Sequence, residues 1–79
     1  MTLRVLLFAS WADALGARSV DLDVADDVTA GDVLHALSAR APGTRLPRAA
    51  LAVNRSIVGP STRIARGDEV AVIPPVAGG

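Results

Sequence analysis

Apolar positions along this chain recur at two periods, and the change from one to the other marks out its elements. Leu3-Arg4-Val5-Leu6-Leu7-Phe8 is an aliphatic run without glycine or proline. It predicts a strand buried on both faces or nearly so, lying centrally in a sheet. Val20, Leu22 and Val24 then alternate with Ser19, Asp21 and Asp23, the period-two signature of a strand with one wet face. The two runs predict an antiparallel opening pair. Between them Ser10 is placed to cap a short helical turn over 11–15, and Gly16 stands where a left-handed residue ends it.

At Thr29 the period lengthens. Ala30, Val33, Leu34, Leu37 and Ala41 repeat at helical spacing, which predicts the main helix with one apolar stripe. The Thr29 hydroxyl can accept from the backbone N–H of Asp32, whose carboxylate suits the first turn. Val28 and Val33 can staple the entry, and Pro42-Gly43 stops the helix. Leu51-Ala52-Val53 then reads as a short strand, Asn54-Arg55 as a turn, and Ser56-Ile57-Val58 as a run that pairs back before Gly59-Pro60. Arg66-Gly67-Asp68 makes the last turn. Residues 69–73 form the closing strand, and Pro74-Pro75 forbids further ladder bonding.

Strand, strand, helix, short strands, strand is an α+β order. One main helix packs on one face of a mixed sheet of about four to five strands, the β-grasp arrangement. The expected organisation is a β-grasp domain over 1–73 followed by a flexible tail over 74–79. Val5, Leu7, Val20, Leu22, Val33, Leu34, Leu37, Val70 and Val72 are the expected core. Ala71 and Ile73 point the other way along the closing strand, yet stay apolar where a solvated strand would be polar, and so read as partner-binding positions.

Composition narrows what such a domain can do. The 79 residues are 51% hydrophobic, enough for one aliphatic core and too few for a second domain. There is no cysteine, which excludes disulfides, thiolate metal sites, iron–sulfur ligation and sulfur chemistry on a side chain. Eight basic residues balance eight acidic ones, so no net field steers the chain toward nucleic acid or an anionic membrane. No secretory or membrane-spanning pattern is present, which leads to the expectation of a cytoplasmic protein. All the basic residues are arginines. Arg40, Arg45, Arg48 and Arg55 fall in one stretch that reads either as a patch for a carboxylate-bearing partner or as a solvated loop face. Without lysine the chain cannot be built into lysine-linked polymers.

Self-sufficient catalysis is not expected. There is one histidine, His35, which helical geometry places on the solvent side, and there is no nucleophile elbow or glycine-rich phosphate loop. Asp21, Asp23, Asp26 and Asp27 lack the spacing of a calcium loop and read as a solvated edge, so neither a metal nor a bound cofactor is expected. The tail Pro74-Pro75-Val76-Ala77-Gly78-Gly79 is different. Two terminal glycines arise by chance in about half a percent of chains at average glycine usage. A strand that delivers the chain, two prolines that hold it extended and two residues without side chains resemble a probe for a narrow channel.

The segments Leu3 to Ala9, Val28-Thr29-Ala30-Gly31-Asp32-Val33, Ala52-Val53-Asn54, and above all Gly67 to Gly79 carry an end-to-end resemblance. The chain resembles the prokaryotic sulfur carriers that include the small subunit of molybdopterin synthase and the sulfur carrier of thiamine biosynthesis. Pro-Pro before Val-Ala-Gly-Gly is more similar to the molybdopterin branch, whereas Ala12-Asp13 stands where that branch commonly has Arg-Glu.

The resemblance implies a ubiquitin-like fold. It also implies that an E1-like adenylyltransferase activates the Gly79 carboxylate with ATP and that a sulfurtransferase supplies sulfur, giving a thiocarboxylate. The tail, Pro74, Pro75, Val76, Ala77 and Gly78 with Gly79, would then enter the large subunit of molybdopterin synthase within a heterotetramer. There it would donate sulfur to a cyclic pyranopterin precursor, with the catalytic side chains on the partner. Sulfur delivery to thiamine or cysteine synthesis, a ubiquitin-like modifier that forms isopeptide bonds, and a non-catalytic interaction domain remain open alternatives.

Overall fold

The computed structural model describes residues 1–40 and 49–73. Seven elements follow in order: β1 (Thr2–Leu6), α1 (Ala9–Leu15), β2 (Ser19–Asp23), α2 (Ala30–Ala39), β3 (Ala50–Val53), β4 (Ser56–Val58) and β5 (Val70–Ile73). The five strands form one mixed sheet in the order β2-β1-β5-β3-β4. This is the expected α+β β-grasp arrangement, with a second, shorter helix where a helical turn was expected. β1 and β2 pair antiparallel from Thr2↔Asp23 to Leu6↔Ser19. The strand that arrives last, β5, takes the middle of the sheet. It runs parallel to β1 at Val5↔Val70 and Leu6↔Ala71 and antiparallel to β3 from Ala50↔Ile73 to Val53↔Val70.

β1 corrects the expectation of a strand buried on both faces. Leu3, Val5 and Leu7 are buried, Thr2, Arg4 and Phe8 are exposed, and Leu6 is half-buried. The aliphatic run conceals a period of two, because the outer face of the sheet is itself partly apolar. The strand also ends at Leu6 rather than Phe8. Phe8, not Ser10, is the N-cap of α1, with extended backbone and no side-chain cap bond. Ala9 adopts φ 51°, so the chain turns sharply into the helix, and Ser10 lies within the first turn, past the N-cap position. α1 closes as expected at Gly16, φ 68°, whose N–H donates to the Ala12 carbonyl. A non-glycine residue there would hold a strained left-handed backbone.

The inner face of the sheet is covered by α2. Its start carries the full capping box: Asp32 N–H donates to the Thr29 hydroxyl and Thr29 N–H to the Asp32 carboxylate. Two further N-terminal donors are satisfied from the loop after β4, Ala30 N–H by the Thr62 carbonyl at 2.9 Å and Gly31 N–H by the Pro60 carbonyl at 2.9 Å. That leaves the first turn without an orphan among its first three N–H groups. Ala30, Val33 and Leu37 are buried as the stripe predicts, while Leu34 is only partly buried. Val20, also expected in the core, is partly buried too, because β2 is an edge strand. Leu3, Trp11, Val28, Leu51, Val53 and Ile64 complete the core. Ile64 sits beside the isolated bridge Thr29↔Arg63, which straps the loop after β4 to the start of α2. Ala41 and the expected stop at Pro42-Gly43 lie outside the described residues.

Candidate functional site

With α2 on one side, the other face of the sheet has no covering element among the described residues. Alternation sends Val70 and Val72 of β5 inward, each at 0% exposure, and turns Ala71 and Ile73 outward, both half-buried. The register lines the outward residues of four strands into one row. Leu6 of β1 pairs with Ala71 of β5, Ala71 with Ala52 of β3, and Ala52 with Ile57 of β4. Two alanines in the middle and larger side chains at the ends make a trough. Its volume is about 370 Å³, and Phe8, Ile73, Arg55 and Glu69 complete the lining.

Two features hold its walls. The sharp turn at Ala9 leaves Phe8 in extended backbone, with its ring 48% exposed, and Ile57 on the β3–β4 hairpin is 68% exposed. Exposure of two large apolar side chains on one side of a 79-residue domain is the costly kind of surface that marks a contact. A second hollow of about 420 Å³, lined by Leu6, Leu7, Phe8, Ala9, Ala12 and Arg18, continues the apolar surface past Phe8. Among the described residues the charges lining the trough form one exposed pair, Arg55 to Glu69 at 3.5 Å, which contributes little to stability.

The launch of β5 is fixed by Asn54. With φ 51° at Asn54 and 70° at Arg55, the β3–β4 hairpin turns through two left-handed residues, the type I′ geometry that suits strand twist. The Asn54 backbone N–H donates to the Glu69 carbonyl at 2.8 Å, and Glu69 N–H donates back to the Asn54 side-chain oxygen at 3.0 Å. The Asn54 amide donates to Asp68 at 3.1 Å, and Asp68 in turn accepts from the Ala65 N–H at 2.8 Å. One side chain thus ties the hairpin to the last turn and sets where the closing strand begins.

Of the residues read from the sequence, Ala71 and Ile73 stand together on this face. Pro74, Pro75, Val76, Ala77, Gly78 and Gly79 lie outside the described residues. Leu6, Phe8, Ala52 and Ile57 were missed. The signal was present in the pairing of alternate positions, but it becomes visible only once the register is known. The arginine patch does not form as a unit. Arg40 donates to the Asp21 carbonyl near β2, while Arg55 meets Glu69 beside β4, at the opposite edge of the sheet; Arg45 and Arg48 lie outside the described residues. Three of the four residues of the acidic run have local partners, Asp21 in Arg4, Asp23 in the Thr2 hydroxyl and Asp26 in the Met1 ammonium. No grouping of three or more potential metal ligands occurs among the described residues. None of their helices is long and apolar enough to cross a membrane.

A five-stranded mixed sheet with one helix-covered face and, among the described residues, one apolar open face defines a ubiquitin-like β-grasp domain. The ThiS family model matches residues 5–79, and the chain belongs to that family of small ubiquitin-like sulfur carriers. It is 38% identical over 92 aligned positions to small archaeal modifier protein 3 of Haloferax volcanii, with the whole of both chains covered. The crystal structure of SAMP1 from the same organism superposes with a TM-score of 0.79 at 32% identity, again over the full length of both. A chain in the complex of subunits 1 and 2 of the molybdopterin-converting factor from Helicobacter pylori shares the fold, with TM-score 0.64, 24% identity and full coverage of both.

Proposed function

We propose that this chain carries sulfur as a thiocarboxylate on Gly79 and delivers it to a cyclic pyranopterin precursor in molybdenum cofactor synthesis. The observation that carries this reading is the apolar row Leu6–Ala71–Ala52–Ile57, whose trough Ile73 also lines. A partner seated on that row would hold the residue from which 74–79 depart. The terminal carboxyl, with a pKa near 3.5, is an anion at neutral pH and a poor electrophile. An E1-like adenylyltransferase using ATP would convert it to an acyl adenylate with loss of pyrophosphate. Sulfur from a sulfurtransferase would then displace AMP. Pro74 and Pro75 would restrict the tail before it enters the large synthase subunit, and Val76, Ala77, Gly78 and Gly79 would fill the channel, where a Cβ on either glycine would cost clearance. No cofactor is held permanently in this scheme, and the catalytic side chains belong to the partner.

A second reading is that the same activated glycine is joined to amines of other proteins, as a ubiquitin-like modifier. Full-length similarity to a protein named as a small archaeal modifier favours it specifically. Both readings share activation at Gly79 and part at the acceptor. The test is intact mass measurement on protein made beside its native activating enzyme. One oxygen replaced by sulfur, followed by transfer to the pyranopterin precursor in the presence of the large subunit, supports the carrier reading. Gly-Gly remnants on lysines of other proteins support the modifier reading. A chain lacking Gly79 that still gains and transfers sulfur overturns the assignment of the chemistry to the terminus.

A further inference from the structure

Two bonds at the ends of the β1–β2 ladder fix which way the backbone of β2 faces. Leu7 N–H donates to the Arg18 carbonyl and Val24 N–H to the Met1 carbonyl, each at 2.8 Å, and bonded pairs alternate along an antiparallel ladder. The pairs Thr2↔Asp23, Arg4↔Asp21 and Leu6↔Ser19 fall between the bonded ones. The N–H and C=O groups of Ser19, Asp21 and Asp23 therefore point away from β1, along the free edge of the sheet. Arg40, the C-cap of α2, agrees with that direction, since its guanidinium donates to the Asp21 carbonyl at 3.1 Å. The other edge strand, β4, is three residues long and runs into Gly59-Pro60, so β2 is the longer template for an added strand.

The two sides of that edge define the strand it would take. On the helix side, a hollow of about 330 Å³ is lined by Ala14, Leu15, Val20 and Arg40, apolar apart from the arginine. On the open side, alternation brings the exposed Asp21 and Asp23 to neighbouring positions. Their present partners hold them weakly: Asp21 meets Arg4 at 3.4 Å with both side chains more than half exposed, and Asp23 accepts from the Thr2 hydroxyl. A second copy pairing edge to edge would set these carboxylates against their own counterparts, which destabilises a strand pair, whereas cationic side chains there would be favoured.

We propose that the β2 edge is a second docking site, which takes an extended segment of another protein in which apolar residues alternate with Lys or Arg. Its apolar side chains enter the hollow beside Leu15 and Val20, its cationic side chains lie beside Asp21 and Asp23, and its backbone pairs with Ser19, Asp21 and Asp23. Arg40 is then a competitor, because the incoming N–H needs the Asp21 carbonyl that the guanidinium holds, and its charge repels the cationic residues. The site shares no lining residue with the trough and does not depend on the chemistry proposed for Gly79.

The test is an amide chemical-shift titration of the full chain with a capped Lys-Val-Lys-Val-Lys-Val-Lys peptide, set against a capped peptide of the same composition ordered Lys-Lys-Lys-Lys-Val-Val-Val. The alternating peptide should give saturable shifts centred on Ser19, Asp21 and Asp23, and the block-ordered one should bind about tenfold or more weakly. Arg40→Ala should tighten binding of the alternating peptide about threefold or more, because it frees one carbonyl and removes a like charge. Asp21→Asn combined with Asp23→Asn should weaken it about threefold or more. All three positions are exposed, and the amide spectrum of each variant reports its fold. No saturable shift, shifts centred on β4 or the trough, equal binding of the two peptides, or Arg40→Ala binding no tighter than wild type would each overturn the proposal.

Discussion

At the scale of single residues, Asn54 concentrates more consequence than its exposed position suggests. Its side chain satisfies Glu69 N–H and bonds Asp68, and its own φ of 51° is one that asparagine tolerates better than most residues. Asn54→Ala should therefore cost about 1–3 kcal/mol in a denaturant titration, from an unsatisfied Glu69 N–H and a strained turn. Asn54→Gly, which keeps the turn and loses only the bonds, should recover part of that. Equal midpoints for both variants and wild type would show that the link between hairpin and last turn is idle. Ile57 makes the opposite case. At 68% exposure, Ile57→Asp should cost the fold less than about 1 kcal/mol while weakening partner capture by about tenfold or more, as loss of an apolar anchor does. Unchanged co-purification with the large synthase subunit or the activating enzyme would remove the trough from the interface.

Among the elements, α2 was the most legible and α1 the least. The Thr29–Asp32 box and the stripe Ala30, Val33, Leu37 are local signals, and local signals survive into the fold. The start of α1 is decided by a left-handed Ala9 and by Trp11, 3% exposed, docking into the core, and neither leaves a periodic trace in seven residues. Ile64 was illegible for a related reason. It lies in no named strand, and its burial depends on the bridge Thr29↔Arg63 between segments distant in the chain. The open face was half legible: Ala71 and Ile73 stood out by alternation, whereas Leu6, Ala52 and Ile57 needed the register.

Gly31 belongs at the same scale, because it lets the loop after β4 approach the helix. A Cβ there would lie 3.2 Å from the Pro60 carbonyl oxygen and 3.3 Å from Pro60 Cβ. Gly31→Ala should be close to neutral, a gain in helix propensity of about 1 kcal/mol offsetting a small displacement of Pro60. Gly31→Val should push the loop off its hydrogen bond and cost about 1–3 kcal/mol. Thermal unfolding of the pair separates the two, and a Gly31→Val chain as stable as wild type would refute the close approach.

For the molecule as a whole, the core closes among residues on β1, β2, β3, β5, the two helices and the loop positions Leu7, Val28 and Ile64, with Val5, Val33, Leu37, Val70 and Val72 at 0% exposure. Deleting residues 74–79 should therefore move the denaturant midpoint only slightly. Loss of cooperative unfolding in the shortened chain would show that the tail is part of the fold.

The parallel pairing of β1 with β5 also decides how the domain answers tension. Parallel neighbours run the same way, so Met1 and Ile73 leave the pair at opposite ends. A pull applied between the termini then acts along the strands and loads the β1–β5 and β3–β5 rungs together instead of peeling them one at a time. Stretching between the termini should need a higher rupture force than stretching between Thr2 and Asp23, which pair across β1 and β2 and would be peeled apart one rung at a time. A single-molecule trace showing the reverse order would mean that the sheet opens elsewhere first. Under the proposed delivery of residues 74–79 into a partner's channel, the pull would lie along the direction in which the sheet resists best.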